Sequence, residues 1–191
     1  MKFIIICGPT ASGKSSLAMG LAQNRKIRII NADAIQVYKD IPIITAQPTP
    51  VEQKKVEHSL YGFKLGSESF SVNDWLEAVL DEISRAGQEG CLPVLVGGTG
   101  MYIKMLTHGF KDLPHLHELQ KQEIEQEIVQ IGLAQLYHNL CSLDVAYKER
   151  LNSGDKHRII RAYGLLKYHN LNAKNIADTP NKAFFSKRDY K

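Results

Sequence analysis

Gly8, Gly13, Lys14 and Ser15 stand in the stretch GPTASGKS (8–15), two glycines with four residues between them and then Lys-Ser. That spacing builds a phosphate cradle. The glycines let successive backbone amides point into one concave nest. Lys14 reaches the outer phosphates, and the Ser15 hydroxyl can ligate Mg²⁺. The apolar run KFIIIC (2–7) precedes the loop and a helical pattern follows it. A helix start there adds its partial positive charge to the nest.

The loop alone does not say which chemistry follows. Enzymes that move a phosphoryl group from such a loop usually place an Asp at the end of a second apolar strand, to hold the metal. The run PVLV (93–96) ends instead in Gly97-Gly98-Thr99-Gly100. The acid stands elsewhere, at the end of IRIINAD (27–33), as Asp33. Ligands of open α/β sheets gather at the C-terminal strand ends, so Asp33 is expected to face the crevice that holds Thr10 and Lys14. A carboxylate there serves as metal ligand or as general base. The alternative is an ordinary helix N-cap.

The elements that position these residues follow from periodicity. The apolar run 2–7 reads as a central parallel strand. A helix is expected from about Lys14 to Gln23 with Leu17, Ala18 and Leu21 inward, then strands over 27–33 and 58–65. Trp75, Val79, Leu80 and Ile83 recur at helical spacing over 70–90, and Gly87 and Gly90 close that helix. A strand over 91–98 and a helix over 99–109 complete the alternation. The fold class is α/β: a P-loop NTPase-like parallel sheet flanked by helices. After Gly109 no strand signal returns until Asn181. A surface helix over 117–140 carries Leu119, Ile124, Ile128, Ile131 and Leu136, broken or bent near Gly132. A second helix over 153–170 has Asp155 as N-cap and Ile159, Ile160, Tyr163 and Leu166 inward. The expected division is therefore a phosphate-loop core over 1–110, a helical insertion over 111–180, and a returning strand that starts in 181–191.

With 191 residues, 43% hydrophobic and 23% charged, the chain is globular rather than disordered. Cys7, Cys91 and Cys141 lie far apart in no metal-ligand spacing, which points to a reducing, cytoplasmic setting. No apolar run approaches the ~20 residues of a membrane span. MKFIIICG is too short for a signal sequence and reads as a buried strand. Charge is uneven: residues 1–147 carry a net −3 and residues 148–191 a net +7. Charge alone leaves two readings open, a polyanionic partner and a solvated helix face.

Five stretches in order resemble the tRNA dimethylallyltransferases, also called tRNA isopentenyltransferases: GPTASGKS (8–15), NADAIQVYKDIPIITAQPT (31–49), FSVNDW (70–75), PVLVGGTGMYIKMLTHG (93–109) and DKHRIIRA (155–162). The resemblance implies that the loop grips the pyrophosphate of dimethylallyl diphosphate. It implies transfer of the five-carbon group to the exocyclic amine of the adenosine 3′ of the anticodon, with that base flipped out of its stack. No phosphoryl group would move, so a carboxylate after PVLV would not be needed. By resemblance Asp33 is the general base and Thr10 lies near the reacting centre. Gly8, Pro9, Thr10, Ala11, Ser12, Gly13, Lys14 and Ser15 hold pyrophosphate, with Mg²⁺ as helper at Ser15. Asp33, Ala34, Ile35 and Gln36 touch the flipped base. Thr99, Lys121, His157, Arg158 and Arg161 match tRNA contacts. The expected partners are a tRNA anticodon stem-loop and the prenyl donor, with no membrane and a monomeric chain.

The sequence departs from that family in four places. Ala34 replaces Ser or Thr after the base. Gln47 stands where the family has Lys, and Glu57-His58 where it has paired histidines. Family members also continue for roughly another third beyond the position of Lys191, with an Arg that helps neutralise pyrophosphate, and Arg188 is expected near the start of the strand that bears it. These departures give the expectation of a shortened product or a decayed gene. Two other function classes stay open at this point: a small-molecule kinase on the same loop, and a non-catalytic protein that binds tRNA or diphosphate.

Overall fold

The computed structural model describes residues 2–191. Strand β1 (Ile4–Cys7) leads into the phosphate loop, and helix α1 (Lys14–Leu21) leaves it. Strand β2 (Ile27–Asn31), helix α2 (Pro50–Lys55), strand β3 (Glu57–Ser59), helix α3 (Val72–Gln88), strand β4 (Leu92–Gly97) and helix α4 (Gly100–His108) follow. The four strands make one parallel sheet in the order β1-β4-β2-β3. Parallel pairing brings every C-terminal strand end to the same rim, and the chemistry-bearing residues stand on that rim.

Each element has a local cause. β2 is buried throughout and lies between β4 and β3. α2 starts at Pro50 behind a reciprocal cap, in which Thr49 accepts from the Glu52 N–H and Glu52 accepts from the Thr49 N–H. Ser71 and Asp74 cap α3 in the same way. α3 buries Trp75, Leu76, Val79, Ile83 and Ala86. Ala18 of α1 packs with Ile27, Ile29, Val56, Val94 and Val96 of the strand region. At the edge of the sheet, residues 189–191 run parallel to β1: the Phe3 N–H donates to Asp189 O at 2.9 Å and the Ile5 N–H to Lys191 O at 2.8 Å.

The chain divides into two units. One runs to Gly109 and takes in Ala183–Lys191, and the other is Phe110–Lys182. The second is helical: α5 (Glu118–Ile131), α6 (Leu133–Leu143), α7 (Tyr147–Arg150), α8 (Lys156–His169) and α9 (Ala173–Asp178). Its core joins Leu116, Ile124, Leu136, Leu140, Tyr147, Ile159 and Tyr163. Asp155 caps α8, accepting from the Arg158 N–H at 3.2 Å.

Several sequence expectations need correction. α1 ends at Leu21, and Leu17 is 59% exposed rather than inward. β2 stops at Asn31, so Asp33 lies beyond the strand in an irregular segment. The third strand is only Glu57–Ser59; Lys64 makes an isolated bridge to Tyr38. The helix expected over 117–140 does break at Gly132, as read, but Leu119 is 73% exposed rather than on its buried side. Short strands escaped the periodicity reading: β5 (Phe110–Lys111) pairs antiparallel with β6 (Asn181–Lys182). Residues 181–182 therefore belong to the helical unit. Two-residue strands carry too few positions to show a period of two.

Candidate active site

The rim of the first unit forms a cleft of 360 Å³ lined by residues 10–16 of the phosphate loop and by Asp33, Gln36, Thr45, Ala46, Val96 and Gly97. The loop's shape comes from two left-handed residues, Ala11 (φ 63°) and Gly13 (φ 82°). Glycine adopts that conformation freely, whereas Ala11 holds it at a cost of ~1–2 kcal/mol. The Lys14 ammonium folds over the loop, donating to Gly8 O at 3.0 Å and Pro9 O at 2.6 Å. Thr10, Ala11, Ser12, Gly13 and Ser15 are exposed in the cleft.

Asp33 shares that cleft, as its strand-end position suggested. It caps no helix, because no helix begins between Asn31 and Pro50. Its Oδ1 instead accepts the Ile35 N–H at 3.0 Å, closing a turn. The backbone around it is held from two sides. The Thr99 Oγ1 accepts the Ala34 N–H at 2.9 Å. The Asn31 side chain accepts the Asp33 N–H at 2.8 Å and donates to Asp33 O at 2.9 Å.

The geometry also explains why β4 ends in glycine. A Cβ on Gly97 would overlap the Ala32 backbone, and one on Gly98 would lie 3.3 Å from Gly8 O and 3.5 Å from Asp33 Oδ2. Three strand ends converge there, and a metal-holding Asp at Gly97 would have no room. Among the described residues, no group of three or more His, Cys, Asp and Glu side chains could hold a metal ion. The Ser15 hydroxyl in the cleft fits a Mg²⁺ that arrives with its phosphates, since this ion commonly keeps waters and takes substrate phosphate oxygens as ligands.

Residues to which the motifs gave no role support the site from behind. Trp75 stacks on Tyr102 with centroids 4.3 Å apart and donates from Nε1 to Asn31 O at 2.8 Å. Burial, with smaller contributions from Tyr38, Asp33 and Asp74, pushes the Tyr102 phenol up to about 12. Burial, then Asp33, raises Tyr61 as well. Both phenols thus stay protonated and able to donate at neutral pH. Gln36 is not free toward the cleft: its Nε2 donates to Thr45 O at 2.7 Å and Ala46 O at 3.2 Å, pinning the loop behind it. Gln47 donates to Tyr38 O at 2.8 Å. Ile35 is 52% exposed. The only sequence signals for these roles were an Asn at the end of an apolar strand and a lone Trp in an amphipathic helix.

In the helical unit, Lys121, His157 and Arg161 line one cleft of 330 Å³ together with Glu118 and Glu125. His157 and Arg161 are four residues apart, so they share a face of α8. Arg158 does not line this cleft; its Nε pairs with Asp155 at 3.3 Å. Lys121 pairs with Glu118 at 3.2 Å. Burial lowers the Arg161 guanidinium from its ordinary value. Arg188 lines neither cleft; it borders a hollow at the sheet edge with Lys2, Arg25 and Lys191.

The parallel sheet, the loop and the rim cleft define an α/β protein of the P-loop NTPase-like class. Relatives make the assignment narrower. The sequence pattern of the family described as IPP transferase matches residues 36–189. The chain belongs to that family. It is 41% identical over 162 residues to a tRNA dimethylallyltransferase of Rickettsia bellii, covering 85% of this chain and 51% of that protein. It is 36% identical over 190 residues to one of Rickettsia prowazekii, covering 100% of this chain and 61% of that protein. Among solved structures, a eukaryotic dimethylallyltransferase acting on tRNA superposes with a TM-score of 0.79 at 26% identity, over 97% of this chain and 46% of that one. The full-length tRNA isopentenylpyrophosphate transferase of Bacillus halodurans gives 0.58 at 32% identity, over 94% and 57%. The chain thus spans about half the length of the curated relatives it matches.

Proposed function

We propose that this chain carries the donor-binding and base-bearing part of a tRNA prenyltransferase. It would transfer a dimethylallyl group from dimethylallyl diphosphate to the exocyclic amine of the adenosine 3′ of the anticodon. The observation that carries this reading is one cleft that joins a phosphate nest to a single carboxylate, Asp33, beside a strand end with no room for a second. Family membership supports the same reading.

The chemistry follows from the residues. The amine nitrogen attacks the donor carbon that bears the diphosphate. The carbon–oxygen bond breaks, and pyrophosphate departs with the bonding pair. Asp33 takes the proton that the nitrogen loses. The loop amides and Lys14 stabilise the charge that builds on the leaving group. The Ser15 hydroxyl would hold a Mg²⁺ that arrives with the diphosphate, and the ion would supply further charge neutralisation.

Single-turnover prenylation of an anticodon stem-loop tests the proposal. The wild type should give product, and Asp33→Ala should be slower by about 10²–10⁴-fold. Product formation at the wild-type rate by Asp33→Ala would remove the general-base role. Binding of ATP with Mg²⁺ in preference to dimethylallyl diphosphate would favour a kinase. RNA and diphosphate binding with no product would leave a binding protein without transfer activity.

A further inference from the structure

We infer that Asn31 is the positioning residue that aims Asp33, an inference that rests on the prenyl-transfer reading. Asn31 is fully buried. A buried amide is costly unless its groups are satisfied, and here they are. Its Oδ1 accepts the Asp33 N–H at 2.8 Å, and its Nδ2 donates to Asp33 O at 2.9 Å and to Leu60 O at 3.0 Å. Its own carbonyl accepts the Trp75 indole N–H at 2.8 Å.

The register shows why a side chain is needed at this place. β2 pairs with β4 as far as Asn31↔Val96, but with β3 only as far as Ile30↔Ser59. Beyond Ser59 no strand continues to bond the backbone of residue 33 on that side. The Asn31 amide takes the place of the missing strand, bonding both the N–H and the carbonyl of Asp33. Leu60 adopts a left-handed backbone (φ 64°) directly after β3, and its carbonyl takes the second amide hydrogen. Asp33 is thereby tied to β3's end and, through Trp75, to α3. With the backbone fixed, the carboxylate is confined by one further bond, from the Ile35 N–H to Oδ1, while Oδ2 lies beside Gly98. A side chain that only filled the core would not need three polar partners, two of them on the residue that carries the base.

The test uses the full chain with Asn31→Ala and Asn31→Asp. Asn31→Asp keeps the acceptor for the Asp33 N–H but turns an oxygen toward two carbonyls. Both variants should lower the single-turnover rate by about 10–100-fold, as misplacement by about an ångström does. Affinity for inorganic pyrophosphate should stay within about twofold, because no bond of the Asn31 side chain reaches the loop; this also shows that the variants fold. On an Asp33→Ala background, Asn31→Ala should cost no further rate, since it acts through Asp33. Costs that multiply would overturn the inference. Amide exchange read by NMR is independent of turnover. Asn31→Ala should speed exchange at Asp33 and Ile35 at least about tenfold while Ile29 and Ile30 keep their protection. Equal loss along β2 would reduce Asn31 to a core residue and sink the proposal. A wild type that makes no product would reject the prenyl-transfer reading, and the exchange pattern would still decide the role of Asn31.

Discussion

The Thr99 hydroxyl accepts the Ala34 backbone N–H at 2.9 Å, joining the residue before α4 to the residue after Asp33. Thr99 sits at the N-cap position of α4, yet its side chain makes no cap bond within that helix. Its oxygen serves the neighbouring strand end instead. Thr99→Val, which keeps the shape and loses the acceptor, should leave the Ala34 N–H unsatisfied. That costs about 1–3 kcal/mol of stability, and the rate of transfer should fall about tenfold. Thr99→Ser should retain most of both. Chemical denaturation and single-turnover kinetics on the pair check this. Equal behaviour of Val and Ser would show that the hydroxyl contributes nothing.

Lys14 makes a second prediction. Its ammonium bridges Gly8 O and Pro9 O, and its third hydrogen is the one left for a phosphate. Lys14→Ala removes a charge-assisted bond worth about 1.5–3 kcal/mol. Pyrophosphate affinity should fall by roughly 10–100-fold by titration calorimetry. The variant should also loosen the loop, so Lys14→Met, which keeps the stem, separates lost charge from lost packing.

The phosphate loop and its place between β1 and α1 were legible because they rest on local spacing. Asp33 was legible as a strand-end acid, but not the irregular segment that holds it. The clamp by Asn31 and Thr99 joins residues 31, 33, 34, 60 and 99, and no periodicity reports contacts so distant in sequence. Helix faces were read well where burial is strong, as at Ile124, Val79 and Ile159, and poorly at Leu17 and Leu119, where an apolar side chain is left at the surface. His157 and Arg161 line a cleft that Arg158, paired with Asp155, does not, and that ion pair was not read from the sequence.

Gly97→Ala should be among the most damaging small changes in the first unit. The added methyl overlaps the Ala32 backbone, which lies between the strand-end bonds Ala32 N–H to Val96 O at 2.8 Å and Thr99 N–H to Ala32 O at 3.3 Å. Relief requires parting β2 from β4. A loss of about 3 kcal/mol or more is expected in urea unfolding, or failure to fold. Gly100→Ala, where an added Cβ meets nothing within 4 Å, is the matched control and should be nearly silent.

His58 gives the first unit a pH dependence. Burial pushes its imidazole below the ordinary 6.5, partly offset by the Val56 carbonyl and Glu52. The unfolded chain therefore binds a proton at a higher pH than the folded one. This contribution to stability is complete above about pH 6.5 and is lost as pH falls through the lower folded value. Denaturation midpoints measured from pH 8 to pH 5 should decline at the acid end in the wild type, and less in His58→Phe. An identical decline in both would assign the acid sensitivity to other groups.

The helical unit allows a prediction that separates neighbouring cations. Lys121, His157 and Arg161 share a cleft, whereas Arg158 faces Asp155. If that cleft holds RNA phosphate, Lys121→Ala and Arg161→Ala should each weaken binding of a labelled anticodon stem-loop. Each should also reduce the slope of log K against log salt by roughly one. Arg158→Ala should change little, because Arg158 does not line this cleft. Glu118 and Glu125 line the same cleft and oppose an anion, so Glu118→Gln should tighten binding while freeing Lys121. Fluorescence anisotropy between 50 and 200 mM salt, an interval over which phosphate contacts lose affinity by orders of magnitude, has the range to resolve these changes. A loss at Arg158 as large as at Arg161, or weaker binding by Glu118→Gln, would move the RNA-binding surface off this cleft and onto the exposed side of α8.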